Sequence, residues 1–121
     1  MNIESARRFC LSIPFTTELI QWPDALTFSV GGKPFTVVTL DPASSHRISF
    51  RCTPEQQAEL VKKRDIIPCP DPERKHWISL LRFDAMEEKE LKRLIRTSHQ
   101  LVFSSLPPRL RKGLQGYSAG K

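Results

Sequence analysis

The chain has 121 residues, 39% of them apolar and 26% charged, and a formal net charge of +6. That length fits one domain able to bury roughly two-thirds of the surface its unfolded chain exposes, and the composition excludes wholesale disorder. No run of 18 apolar residues and no apolar leader segment occurs, so a chain outside the membrane, in the cytoplasm, is expected.

Asn2 can cap a helix whose apolar residues Ile3, Ala6, Cys10 and Ile13 recur at three- and four-residue spacing until Pro14 forbids continuation. Leu26, Phe28 and Val30 then alternate with Thr27 and Ser29, and Gly31-Gly32 separates them from Phe35, Val37 and Val38, which predicts a β-hairpin. After the loop 41–45, Arg47, Ser49 and Arg51 alternate with Ile48, Phe50 and Cys52, a third strand with one apolar and one basic face. Thr53-Pro54-Glu55-Gln56 is a capping box with proline at the first helical position, opening a helix to about Lys63 with Ala58 and Val61 inward and Leu60 beside them. Ile66-Ile67 makes a short fourth strand, and a largely apolar fifth covers residues 77–82, with the Trp77 ring directed to the core. Asp84 and Glu87 then introduce a long helix from about Ala85 to Phe103 or Ser104, with Leu91, Leu94, Ile95, Ser98, Leu101 and Val102 inward. The expected fold is α+β: a two-layer sandwich of an antiparallel five-stranded sheet with helices mainly on one face, in the order α-β-β-β-α-β-β-α. Residues 1–114 form the single domain and 115–121 a flexible C-terminal tail.

Charge is distributed unevenly. No acidic residue follows Glu90, whereas Lys92, Arg93, Arg96, Arg109, Arg111, Lys112 and Lys121 do, and residues 1–90 are close to neutral. A localised positive field attracts polyanions. The expected contacts to a phosphate backbone are Lys92, Arg96, Arg109, Arg111 and Lys112, aided by Arg74, Lys75 and, at the hairpin tip, Lys33. The competing reading of each is a solvated helix face or a cation at a helix C-terminus.

For chemistry the pattern is thin. Cys10, Cys52 and Cys69 are odd in number and lack CxxC spacing, so each reads as a small buried side chain rather than a disulfide or zinc ligand. His46, His76 and His99 have no metal-ligand spacing, and no nucleophile elbow is present. The acids Asp84, Glu87, Glu88 and Glu90 suit a helix start better than a hard cation. No catalytic residue, metal or cofactor is expected. His99 lies beside the buried stripe, able to bond the sheet or to face solvent.

Taken in order, Pro14, Gly32-Lys33-Pro34-Phe35, Lys75-His76-Trp77-Ile78, Ser98-His99-Gln100-Leu101-Val102 and Leu106-Pro107-Pro108-Arg109-Leu110-Arg111 resemble the MmcQ/YjbR family over residues 2–114. The resemblance implies a fold like that of secretion chaperones, also compared with the frataxin-like CyaY fold, a role in DNA binding through a double-wing arrangement, and no enzymatic activity. Three positions depart from the family pattern: His99 stands where Tyr is usual, Phe15 where Gly is, and Pro108 where Lys is frequent. The alternative function is a protein- or peptide-binding adaptor that uses an exposed sheet face or edge.

Overall fold

The computed structural model describes residues 1–21 and 24–119, without the side chains of Gln21 and of 115–119. Helix α1 covers Ile3–Ser12, where the Asn2 side chain accepts from the Ser5 amide while the Ser5 hydroxyl accepts from the Asn2 amide. Strands β1 (Thr16–Gln21), β2 (Ala25–Val30), β3 (Lys33–Thr39) and β4 (Ile48–Arg51) precede helix α2 (Pro54–Leu60). Strands β5 (Ile66–Pro68) and β6 (Trp77–Leu80), a single helical turn at Phe83–Ala85, and helices α3 (Glu88–Ser105) and α4 (Pro108–Ala119) follow. The six strands form one open antiparallel sheet in the order β1-β2-β3-β4-β6-β5. Among the described residues, no helix is long and apolar enough to cross a membrane.

The sheet thus has six strands, not five, and the element order differs from the expected one by β1 and α4. Strand β1 escapes the alternation test because it is an edge strand with no buried side chain among those described, 16–20: Leu19 and Ile20 are 57% and 58% exposed. It is held by its ladder to β2 and by the forked ion pair of Arg7 with Glu18, which ties it to α1. Helix α4 starts as proline at a first helical position permits, with the Pro107 carbonyl accepting from the Leu110 and Arg111 amides. Its sequence carries two glycines and only Leu110, Leu114 and Tyr117 at helical spacing, so its signal is weak. Of the expected tail, the backbone through Ala119 belongs to α4, and 120–121 lie outside the described residues.

The capping box at Thr53 forms as expected, with the Gln56 amide donating to Thr53 Oγ1 and Gln56 Oε1 accepting from the Thr53 amide. Helix α2 ends at Leu60 rather than Lys63, and Leu60 is buried whereas Ala58 is exposed. Helix α3 starts three residues later than expected. The Asp84 carboxylate is taken by the Arg82 guanidinium at 2.8 and 3.0 Å, and Glu87 occupies the N-cap without a side-chain cap bond.

One face of the sheet carries the core. Phe28, Phe35, Phe50, Ile48, Ile78 and Leu80 meet Leu91, Leu94, Ile95 and Val102 of α3 and Ala6 and Cys10 of α1. In α3 the inward stripe includes His99, while Leu101 is only half-buried. Thr27, Val37, Ser49 and Ser79 form a cross-strand row on the opposite face by alternation, where the Ser49 and Ser79 hydroxyls bond each other at 2.6 Å.

The β2–β3 hairpin turns on Gly31 and Gly32, with φ of 59° and 81°. Both need the left-handed region, but only Gly31 also needs the missing side chain: a Cβ there would lie 2.6 Å from Leu106 Cδ1, whereas Gly32 has open space. Gly32→Ala is expected to destabilise the fold by about 1 kcal/mol through its backbone alone. Gly31→Ala should add an overpacking penalty of about 1 kcal/mol or more. Chemical denaturation of the two variants checks the order; equal losses would mean that the Leu106 contact yields freely.

Candidate nucleic-acid interface

Where β3 enters the sheet, the register to β2 shifts: Phe28 pairs with Thr36 and Ser29 with Pro34, so Phe35 is an extra residue, a β-bulge. The β3–β4 ladder stops at Thr36 opposite Phe50. Beyond it the Arg51 amide and the Phe35 carbonyl are joined through a helix side chain, since Ser98 Oγ accepts from the amide at 2.9 Å and donates to the carbonyl at 2.5 Å. This end of the sheet therefore stays ordered although its ladder has ended. The Lys33 and Arg51 side chains project from it.

The third component is the loop before β6. Asp71 Oδ1 accepts from the Glu73 amide, the Asp71 carbonyl accepts from the Arg74 amide, and the Gln57 amide group reaches from α2 to the Lys75 and Trp77 carbonyls at 2.8 and 3.0 Å. Lys33, Pro34, Arg51, Arg74 and Trp77 consequently line one cleft of about 280 Å³ together with Glu73 and Val102. An adjoining depression of about 360 Å³ shares Arg51, Glu73, Arg74 and Trp77 and adds Lys75 and His76. Trp77 is 7% exposed, as expected of a buried ring, but stands apart from the main core cluster, with the Arg74 guanidinium 4.9 Å above it. Arg74 is also 3.8 Å from Asp71, and Lys33 and Arg51 have no carboxylate within 4 Å among the described residues.

The remaining candidates separate. Gly31 packs between Leu106 and Leu110, which brings the Lys33 end of the cleft to the start of α4, where Arg109 and Lys112 are exposed. Arg111 is half-buried, and its Nε has no hydrogen-bond partner among the described residues. Lys92 and Arg96 instead flank α1, over the Phe9 ring at 5.6 and 4.9 Å, and Lys92 lies 4.0 Å from Glu88. Arg93 is committed to Glu90, which holds that carboxyl below its usual range. The cations that the sequence places at the carboxyl end thus divide between two surfaces. Arg51 was absent from the expected contacts, although the basic face of its strand was the signal. Arg47, just before that strand, is spent on the Asp41 and Ser44 carbonyls.

Among the described residues no three of His, Cys, Asp and Glu converge on one point. Burial pushes the Cys10 thiol up to about 12 and Cys52 to about 11, so neither is a thiolate at neutral pH; Cys69 is only half-buried. His99 is 8% exposed and bonds the Pro14 carbonyl, at 2.9 Å, rather than the sheet. A carbonyl only accepts, so Nε2 carries the hydrogen. Burial lowers the pKa of His99, partly offset by that bond, and burial followed by the Arg47 charge lowers that of His46. The unfolded chain therefore takes up protons near pH 6.5 before the folded one does, and stability is full above that value and falls as the pH drops toward the lowered folded pKa values. His99→Gln keeps an amide donor for Pro14 and removes the titration. Denaturation midpoints at about pH 7.5 and 5.5 should differ less in this variant than in the parent, the remainder belonging to His46. An unchanged pH difference would place the effect elsewhere.

The YjbR family model matches residues 11–101. A Deinococcus radiodurans protein with a DUF419 domain superposes with a TM-score of 0.81 at 24% identity, covering 94% of this chain and 88% of that one, a likeness of fold alone. A Pseudomonas syringae protein superposes with a TM-score of 0.70 at 25% identity, covering 84% of this chain and 99% of that one. No curated protein matches the chain. With a family model spanning most of its length, the chain belongs to the YjbR family.

Proposed function

We propose that this protein binds DNA through its phosphate backbone, without catalysis, along the cleft that runs from Lys75 past Arg74 and Arg51 to Lys33 and on to the start of α4. The observation that carries the reading is the convergence of Lys33, Arg51 and Arg74 from three separate chain segments on one cleft beside an aromatic ring. Each ammonium or guanidinium that meets a phosphate releases a condensed counterion, which drives association without reading sequence. Arg109 and Lys112, both exposed, extend the track. Glu73 lines the same cleft and opposes the field locally. Lys92 and Arg96 lie on the α1 side and fall outside this path.

A second reading, an adaptor that captures an extended peptide, is favoured by one feature: the edge strand β1 leaves Leu19 and Ile20 exposed beside unpaired backbone groups. Such binding would protect the Thr16–Gln21 amides and be insensitive to salt.

Fluorescence anisotropy on a duplex of about 20 base pairs across a salt series tests the first reading, with a slope of log K against log salt near −5 expected for about six phosphate contacts. The triple variant Lys33→Gln, Arg51→Gln, Arg74→Gln should flatten that slope by roughly 2.7 and weaken binding at every sequence. The double variant Lys92→Gln, Arg93→Gln should leave it nearly unchanged. The cleft assignment fails if the second variant has the larger effect, and the function fails if no salt-dependent binding to DNA appears.

A further inference from the structure

A second depression, of about 400 Å³, lies between the α1–β1 connection and α3. Its walls are Phe15, His99 and Phe103, with Pro14 below and Arg96 at the rim. We propose that this cleft binds a small planar aromatic acid carrying one negative charge, its carboxylate on Arg96 and its ring against Phe15 and Phe103.

Ring geometry supports the apolar half of that assignment. The Phe15 and Phe103 planes lie within 15° of parallel with centroids 6.0 Å apart, and His99 and Phe103 within 6° at 6.3 Å. Phe35 meets the His99 ring at 82°, a T-shaped contact that, with the Pro14 bond, fixes the imidazole in the wall. The volume is in the range of small-ligand sites, and an aromatic guest would gain from offset stacking on these faces.

The charge count selects the other half. Arg96 is exposed, has no carboxylate within 4 Å among the described residues, and rests on the Phe9 ring at 4.9 Å. A guanidinium stacked on an aromatic face keeps its in-plane N–H edge free, and that fork matches a carboxylate. The other polar groups nearby are committed: the Ser12 hydroxyl donates to the Phe9 carbonyl, and the Gln100 amide to Ser104. Burial keeps His99 neutral at pH 7, so the cleft presents one positive charge. One guanidinium satisfies a monoanion and leaves a phosphate dianion or a polyphosphate short of donors.

Backbone strain at the mouth points the same way. Phe15 holds φ at 66°, a left-handed conformation that a bulky side chain adopts at a cost of roughly 1–2 kcal/mol and glycine adopts freely. Strain of this kind persists where the placement of the side chain is used. Here it places a ring against the cleft and parallel to Phe103.

NMR titration of the full chain with naphthoate, its neutral analogue naphthalenemethanol, and acetate tests the proposal. Naphthoate should saturate with a Kd of about 1 mM or tighter and shift Phe15, Arg96, His99 and Phe103, while the alcohol and acetate bind at least about tenfold more weakly. Arg96→Gln, an exposed change, should weaken naphthoate at least about tenfold, and so should Phe15→Gly, which relieves the backbone while removing one wall. The proposal is overturned by any of three results: no saturation up to about 10 mM naphthoate, equal affinity for acid and alcohol, or parental affinity in the Arg96 variant. Because Arg96 lies outside the basic cleft, none of these results bears on DNA binding.

Discussion

A single hydroxyl holds one end of this sheet together. Where the β3–β4 ladder ends, beside the β-bulge at Phe35, Ser98 stands between the Arg51 amide and the Phe35 carbonyl and satisfies both. Two buried backbone groups left unpaired there would each cost about 1–3 kcal/mol, so the opening of the ladder is tolerable only because α3 supplies the bridge. Lys33 and Arg51 line the cleft beside this opening, and the serine bridge holds the backbone at its edge.

The same helix turn also serves the second cleft. Val102 lines the basic cleft, while His99 and Phe103, four apart on one helix face, line the aromatic one. His99 does for the α1–β1 connection what Ser98 does for the sheet: its Nε2 answers the Pro14 carbonyl at the point where α1 has ended and Phe15 takes its left-handed turn. Two polar side chains, adjacent in sequence, therefore anchor α3 to both neighbours that a purely apolar stripe would only press against.

What the sequence discloses follows from what is local. The caps at Asn2 and Thr53 and the Gly31-Gly32 turn are short-range stereochemistry, and each was legible as residues. Strand β1 was not, because an edge strand exposed on both faces has no period, and its Leu19 and Ile20 resemble a loop that happens to be apolar. Asp84 looked like a cap until Arg82, two residues away, took its carboxylate. The departures at Phe15 and His99 were visible as letters, but nothing in a linear chain says that they share a cleft with Arg96; that requires the turn after Pro14 to fold back onto α3. Arg51 is the converse case, a residue whose strand face was read correctly and whose partners, Lys33 and Arg74, come from elsewhere in the chain.

Net charge is therefore a poor guide to where a polyanion would settle, and pairing a better one. Arg93 is hydrogen-bonded to the Glu90 carboxylate, and an exposed pair of that kind contributes little stability yet already fills the coordination a phosphate would otherwise supply. A cation so neutralised recruits few counterions and releases few on binding, whatever its contribution to the formal total. Lys33 and Arg51, which lie in the nearly neutral part of the sequence, have no such partner among the described residues, and the fold places them together. The field that matters arises from the unpaired minority, and its location is set by where the fold gathers them rather than by the run of basic residues at the carboxyl end.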